Sequence, residues 1–219
     1  MIVKIAGRVR GLFAGNYPEN REDEQFHLNS RGDQIVAQGL PSQVELVRLG
    51  DSWQVMTASA QAPVTSIPTT TAALVLWNGE PAGGKTYVID SVAIAEIVVD
   101  ATQSNMTGAW CMLGKSPVTA PTDAALAIRS LNGRTYGGRA RTVVAGTVVN
   151  DGWFPIGTSA PVAAAAAGSA WKQTDIPLNG MFLIVPGGSF NLSALKVAAT
   201  AGQVHLIIRW HEVQMIVKS

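Results

Sequence analysis

The closing segment Val204–Val217, VHLIIRWHEVQMIV, alternates with a period of two. Val204, Leu206, Ile208 and Trp210 fall on one side, and His205, Arg209 and His211 on the other. Residues i and i+2 share a face of a strand, so this is a half-buried strand with its apolar row inward. Tyr87–Val99, YVIDSVAIAEIVV, is rich in β-branched residues. One row is Tyr87, Ile89, Ser91, Ala93, Ala95, Ile97 and Val99; the other carries Asp90 and Glu96. Both acids on one face is strand spacing, not a helical stripe. Sheets of this kind must bury one face against a second layer.

Shorter runs repeat the pattern. Strands are predicted at Ala72–Trp77, Gly108–Leu113, Ala124–Ser130, Thr142–Asn150, Met181–Val185 and Phe190–Ala199, with turns at Tyr136–Gly138, Asn150–Gly152 and Pro186–Gly188. Many short strands punctuated by Gly and Pro predict an all-β fold, a single jelly-roll-like β-sandwich. The alanine run in PVAAAAAGSAW, Pro161–Trp171, is read as a loop or short helix at one end of it. With 219 residues and 47% apolar composition, there is material for one large core.

Charge divides the chain. Residues 1–65 hold 13 of the 31 charged side chains. Thr57–Thr71, TASAQAPVTSIPTTT, is rich in Ala, Ser, Thr and Pro and reads as a linker. The organisation expected is an extended N-terminal arm over 1–56, a linker over 57–71 and the sandwich over 72–219. Removing residues 1–56 should then leave the sandwich folded.

The net charge of +1 gives no global attraction to nucleic acid or to an anionic membrane. No apolar run approaches the ~18 residues of a membrane span, and the start, MIVKIAGRVRGLFAG, lacks the apolar core of a secretory signal. Synthesis in the cytoplasm is expected. Cys111 is the sole cysteine, so no intrachain disulfide or thiolate metal cluster is available, and GAWCML reads as the site of a buried, inert thiol.

One motif points to chemistry. From Gly79, NGEPAGGKT satisfies G-x-x-x-x-G-K-[ST], the phosphate-binding loop pattern. That loop needs a helix after it, and a strand follows Thr86 instead. The reading is a Gly-rich hairpin loop. His205 and His211 lie ~20 Å apart along a strand, too far to share a metal. No nucleophile elbow and no H-E-x-x-H occurs. No catalytic residue, metal or cofactor is expected, and an enzyme is not. RGD at Arg31–Asp33 is read as a turn.

The basic, Gly-rich stretch RSLNGRTYGGRAR holds Arg129, Arg134, Arg139 and Arg141 around Tyr136. Such a loop can grip phosphates, stack on bases, or pair with the acids of a neighbouring subunit. Of the six tryptophans, Trp77, Trp110 and Trp210 fall in strands and are assigned to the core. Trp153 and Trp171 fall in loops, as interface anchors or sugar-stacking platforms. Trp153, Trp171, Arg134, Tyr136 and Arg139 are the candidate interface or ligand contacts.

LNSRGDQIVAQGLPSQVELVRLGDSWQVM (Leu28–Met56) and the closing LNGMFLIVPGGSFNLSALKVAATAGQVHLIIRWHEVQ together resemble virion structural proteins of tailed bacteriophages. The likeness is to jelly-roll proteins that decorate or cement a capsid or sit on a tail. The closing strand pair also resembles the end of trimeric tumour necrosis factor-like jelly rolls. The resemblance implies a non-enzymatic virion protein, a homo-oligomer and by analogy a trimer. It would be bound through its arm to the major capsid protein or other virion subunits. A glycan-binding, host-recognition module of a phage tail is the alternative.

Overall fold

The computed structural model describes residues 42–98, 106–114, 121, 127–157, 172–196 and 202–214. One helix, α1 (Ser42–Leu49), precedes ten strands: β1 (Ser52–Met56), β2 (Thr71–Asn78), β3 (Thr86–Val98), β4 (Met106–Gly114), β5 (Arg129–Ser130), β6 (Ala140–Thr147), β7 (Phe154–Ile156), β8 (Lys172–Ile184), β9 (Ser189–Lys196) and β10 (Gln203–Val213). Two five-stranded sheets result, in the orders β5-β1-β10-β3-β8 and β6-β2-β9-β4-β7.

The pairings are nested. Setting aside β5 and β6, the first strand pairs with the last, β1 with β10, then β2 with β9, β3 with β8 and β4 with β7, all antiparallel. Successive pairs fall in alternate sheets. A long hairpin rolled up on itself gives this order, which is the jelly roll. β5 and β6 each add one short strand, beside β1 and β2.

β10 shows why the strands form where they do. Its even row, Val204, Leu206, Ile208 and Trp210, is buried to 1% exposure or less, and the odd row stays half-open. Together with Leu74, Leu76, Tyr87, Ile89, Phe190 and Leu192 it fills the space between the sheets. Phe182 packs between Phe154 and Phe190, with ring centroids 5.4 and 5.8 Å away. Each such buried side chain contributes about 1.5–3 kcal/mol.

β3 departs from its predicted alternation. The register slips at Asp90: Ile89 faces Trp210, but Ser91 faces Arg209. This bulge exchanges the two rows, so Tyr87 and Ile89 point inward before it and Val92 and Ile94 after it. Asp90 and Glu96 therefore end on opposite faces: Asp90 meets outward-facing His211, and Glu96 lies beside inward-facing Val204. Opposite the bulge, β8 makes its own excursion at Asn179 and Gly180, both with positive φ.

The structure moves three sequence boundaries. Ser52–Met56, read as the end of the arm, is a strand of the first sheet, with Trp53 and Val55 in the core. The linker is a seam between the sheets. Thr57 N–H donates to Leu206 O, Gln61 bridges Val204 on β10, and Val64 N–H donates to Ala194 O on β9. The hairpin read at NGEPAGGKT is a corner, since β2 and β3 lie in different sheets. Of the predicted strand Ala124–Ser130, only Arg129–Ser130 is a strand in the described residues, and Pro161–Trp171 lies outside them.

Candidate functional site

The flank of the sandwich formed by β5, β6 and the loop between them gathers most of the candidate residues. It begins at α1. Gly50, with φ of +86°, ends the helix and donates its N–H to Leu46 and Val47 carbonyls. The basic loop adds two bonds: Asn132 Nδ2 also donates to Val47 O at 2.9 Å, and Arg134 Nη1 to Leu49 O at 3.2 Å. A cation at a helix C-terminus also meets the negative end of the helix dipole. Arg134 thus closes the helix that carries the N-terminal segment into the sheet.

Tyr136 turns the other way, into the end of the core. Its ring stands edge-on to Trp53 at 4.7 Å. Its hydroxyl accepts the Ala140 N–H at 2.7 Å and donates to Glu212 Oε1 at 2.8 Å. Glu212 continues the inward row of β10 and is only 4% exposed. Lys85 Nζ reaches its other oxygen at 3.3 Å. Burial pushes the Tyr136 hydroxyl well above the usual tyrosine range, with the facing Tyr87 and Glu212 adding to the effect. Tyr87 is raised by the same burial.

That network disposes of the phosphate-loop motif. Lys85, the residue that would reach a nucleotide's phosphates, is paired with Glu212, and the Thr86 side chain is buried in β3. Gly79 is required by close packing, since an added Cβ would strike the Arg139 carbonyl. Asn78, fully buried, ties the corner together. Its Nδ2 donates to Lys85 O and Ile184 O, each at 2.9 Å, and its Oδ1 accepts the Glu80 N–H at 3.0 Å.

Arg129 and Arg139 are exposed on this flank, and Arg141 is half-buried with Nη1 donating to Ala140 O. Among the described residues none of the three has an ion-pair partner. Asp51 and Glu80, on adjoining loops, do not supply one.

The remaining candidates lie elsewhere. Trp153 is half-buried over a small cluster of Ala72, Val75, Met112 and Val148 on the outer side of the second sheet, and its indole donates to Thr69 O at 3.3 Å. Trp171 lies outside the described residues. Trp210 is core, but Trp77 and Trp110, assigned inward from sequence, are only half-buried. They alternate with the core residues Leu76, Ala109 and Cys111 and so take the outer face of the second sheet. Trp53, unassigned from sequence, is core instead. Burial pushes the Cys111 thiol up to about 12, as suits an inert side chain.

His205 Nδ1 lies 2.8 Å from Thr57 O, and His211 Nδ1 lies 2.8 Å from Asp90 Oδ1. Among the described residues no group of three His, Cys, Asp or Glu could hold a metal. No described helix is long and apolar enough to cross a membrane.

A second surface lies at the far edge of the first sheet. β8 presents Met181 and Leu183 outward at 74% and 37% exposure, with Val185 just beyond its end at 41%, and among the described residues no strand pairs its outer edge. Beside it runs a shallow groove of about 620 Å³, lined by Leu113, Gly114, Asp151, Leu183, Val185 and Ser189 among others. The groove carries no aromatic platform.

No family model and no curated protein matches the chain. Among solved structures, a chain from the cryoEM structure of Mud Crab Dicistrovirus aligns with 10% identity over 96% of this chain and 89% of that chain, with a TM-score of 0.21. Two backbones that agree so little do not define a shared fold, and the jelly-roll assignment rests on the nested strand pairing.

Proposed function

We propose that this chain is a non-enzymatic structural protein of a virion. In this reading it is a jelly roll that decorates or cements a capsid, and its N-terminal segment locks it to sibling subunits or to the major capsid protein. The observation that carries the reading is the anchored root of that segment. α1 is closed by Asn132 and Arg134 and leads straight into β1, the strand that pairs with the last strand of the fold. A charged N-terminal stretch attached there suits reaching across a neighbour. The exposed apolar side chains Met181 and Leu183 on β8, an edge strand among the described residues, support the same reading, since exposed apolar surface often marks a contact with another protein.

A trimer is the expected assembly by analogy with related jelly rolls, located in the virion after synthesis in the host cytoplasm. Light scattering of the full chain, with electron microscopy of any large species, tests the proposal. Oligomers or shell-bound protein are expected, and a stable monomer with catalytic turnover would overturn it. A chain lacking residues 1–41 should keep the sandwich and lose assembly.

A further inference from the structure

The sequence holds three Asn–Gly steps, Asn78–Gly79, Asn132–Gly133 and Asn179–Gly180. Such a step is reactive, because no Cβ on glycine hinders its backbone nitrogen from attacking the asparagine side chain. The fold treats the three differently. Asn78 is fully buried, and its amide is held by Lys85 O, Ile184 O and the Glu80 N–H. Asn132 is exposed but tied at both atoms: Oδ1 accepts from the Ser130 hydroxyl at 2.6 Å and the Arg134 N–H at 3.2 Å, and Nδ2 donates to Val47 O at 2.9 Å. Asn179 is exposed, and among the described residues its side chain makes no hydrogen bond. It also lies where β8 leaves its neighbour. Pro177 faces Ser91 and Phe182 faces Ile89, so Leu178–Met181 has no partner on β3. Asn179 and Gly180 both have positive φ, 49° and 75°.

We infer that Asn179 is a site of spontaneous modification, at which the folded chain converts to aspartate and isoaspartate through a cyclic imide. The Gly180 nitrogen attacks Asn179 Cγ. A new C–N bond closes the ring, and the side-chain nitrogen leaves as ammonia, carrying the proton that Gly180 gives up. Water then opens the ring at either C–N bond, giving aspartate or, where the chain is left running through the side chain, isoaspartate. One water is consumed and one ammonia released, and nothing is oxidised or reduced. The product places a carboxylate in the stretch Ile176–Leu195, which has no charged residue of its own. A charge at that point blunts an edge strand against pairing with another chain.

The test incubates the full chain at mildly alkaline pH, folded and, in parallel, in denaturant, with digestion at intervals. Peptide mass spectrometry reads the exchange of amide for acid at each step, and an isoaspartyl methyltransferase labels the isoaspartate. In the folded protein Asn179 should convert roughly ten-fold faster than Asn78 or Asn132, whose reaction waits on local opening and the loss of their hydrogen bonds. In denaturant the three rates should converge. Asn179→Gln, whose longer side chain closes the ring poorly, should lose most of the label from the folded protein.

An Asn179 that stays intact in the folded protein, or that reacts no faster than the other two, overturns the proposal. So does a difference between the sites that persists in denaturant, because local sequence rather than the fold then sets the rates. Label that survives Asn179→Gln unchanged assigns the reaction to another residue and equally overturns it. Should that variant fail to fold, the peptide map of the parent decides the matter by itself.

Discussion

The Tyr136 hydroxyl lies 2.8 Å from the carboxylate of Glu212, and with Lys85 it makes a buried acid tolerable at the end of the inward row of β10. The same hydroxyl accepts the first N–H of β6, so one oxygen joins the loop, the last strand of one sheet and the edge strand of the other. Tyr136→Phe keeps the ring against Trp53 and strands both partners. Its cost should be about 1–3 kcal/mol, read as a lowered denaturation midpoint with an unchanged m-value.

Lys85 is about half-exposed, so its pair with Glu212 is partly screened. Lys85→Met should destabilise by about 1 kcal/mol or less, a smaller loss than Tyr136→Phe. Magnesium ATP should leave the melting temperature of the parent unchanged. A site held at a hundred times its dissociation constant would instead add about 2.7 kcal/mol of stability, and a melting shift on that scale would restore the phosphate-loop reading.

Alkaline pH should unfold the protein cooperatively. Tyr87 and Tyr136 are raised above the ordinary value of 10.0, and Cys111 rises from 9.0 to about 12, in each case chiefly by burial. All three are neutral when protonated, and the unfolded chain gives up those protons first. Their stabilising effect is therefore complete below pH 9 and is lost as pH rises, with Cys111 contributing between 9 and about 12. Each group adds a slope of about 1.4 kcal/mol per pH unit within its window. Cys111→Ala should flatten the early part of a denaturation series taken across that range.

Asn78 is the most connected side chain of the corner between the sheets. Asn78→Ala leaves two carbonyls and one N–H without their partner in a fully buried position. About 2–4 kcal/mol should be lost, visible as hydrogen exchange spreading from the ends of β2 and β8. Asn78→Asp should be no better, because a carboxylate cannot donate to the carbonyls of Lys85 and Ile184.

The two truncations separate the sequence boundary from the structural one. Deleting residues 1–41 should leave a folded sandwich. Deleting 1–56 removes β1 with Trp53 and Val55 and exposes the flank of β10, and the product should aggregate or stay unfolded in circular dichroism.

What was legible in the residues followed from contrast between faces. β10 was readable because Leu206, Ile208 and Trp210 oppose His205, Arg209 and His211. β3 was readable as a strand, but its facing was not: Ser91 and Ala93 are small enough, and Val92 and Ile94 apolar enough, that either row could point inward. The deciding slip at Asp90 depends on Arg209 and Trp210 of another strand. β1 and β7 are five and three residues long, too short for a period to show. Arg134 was singled out for its charge, but its partner is a helix carbonyl 85 residues away. Trp77 and Trp110 were assigned by hydrophobicity, when position within their strands decided the face.

The nested pairing has a consequence for timing. Trp53 is among the first described residues to leave the ribosome, and its partner Trp210 is among the last. The outermost pair of the roll can close only after β10 has been made, and pairings so distant in sequence form slowly. Until then Trp53 and Val55 lack the strand they pair with. A nascent chain that lacks β10 therefore cannot yet hold β1 in place, and the Trp53 end of the core stays open until that strand emerges.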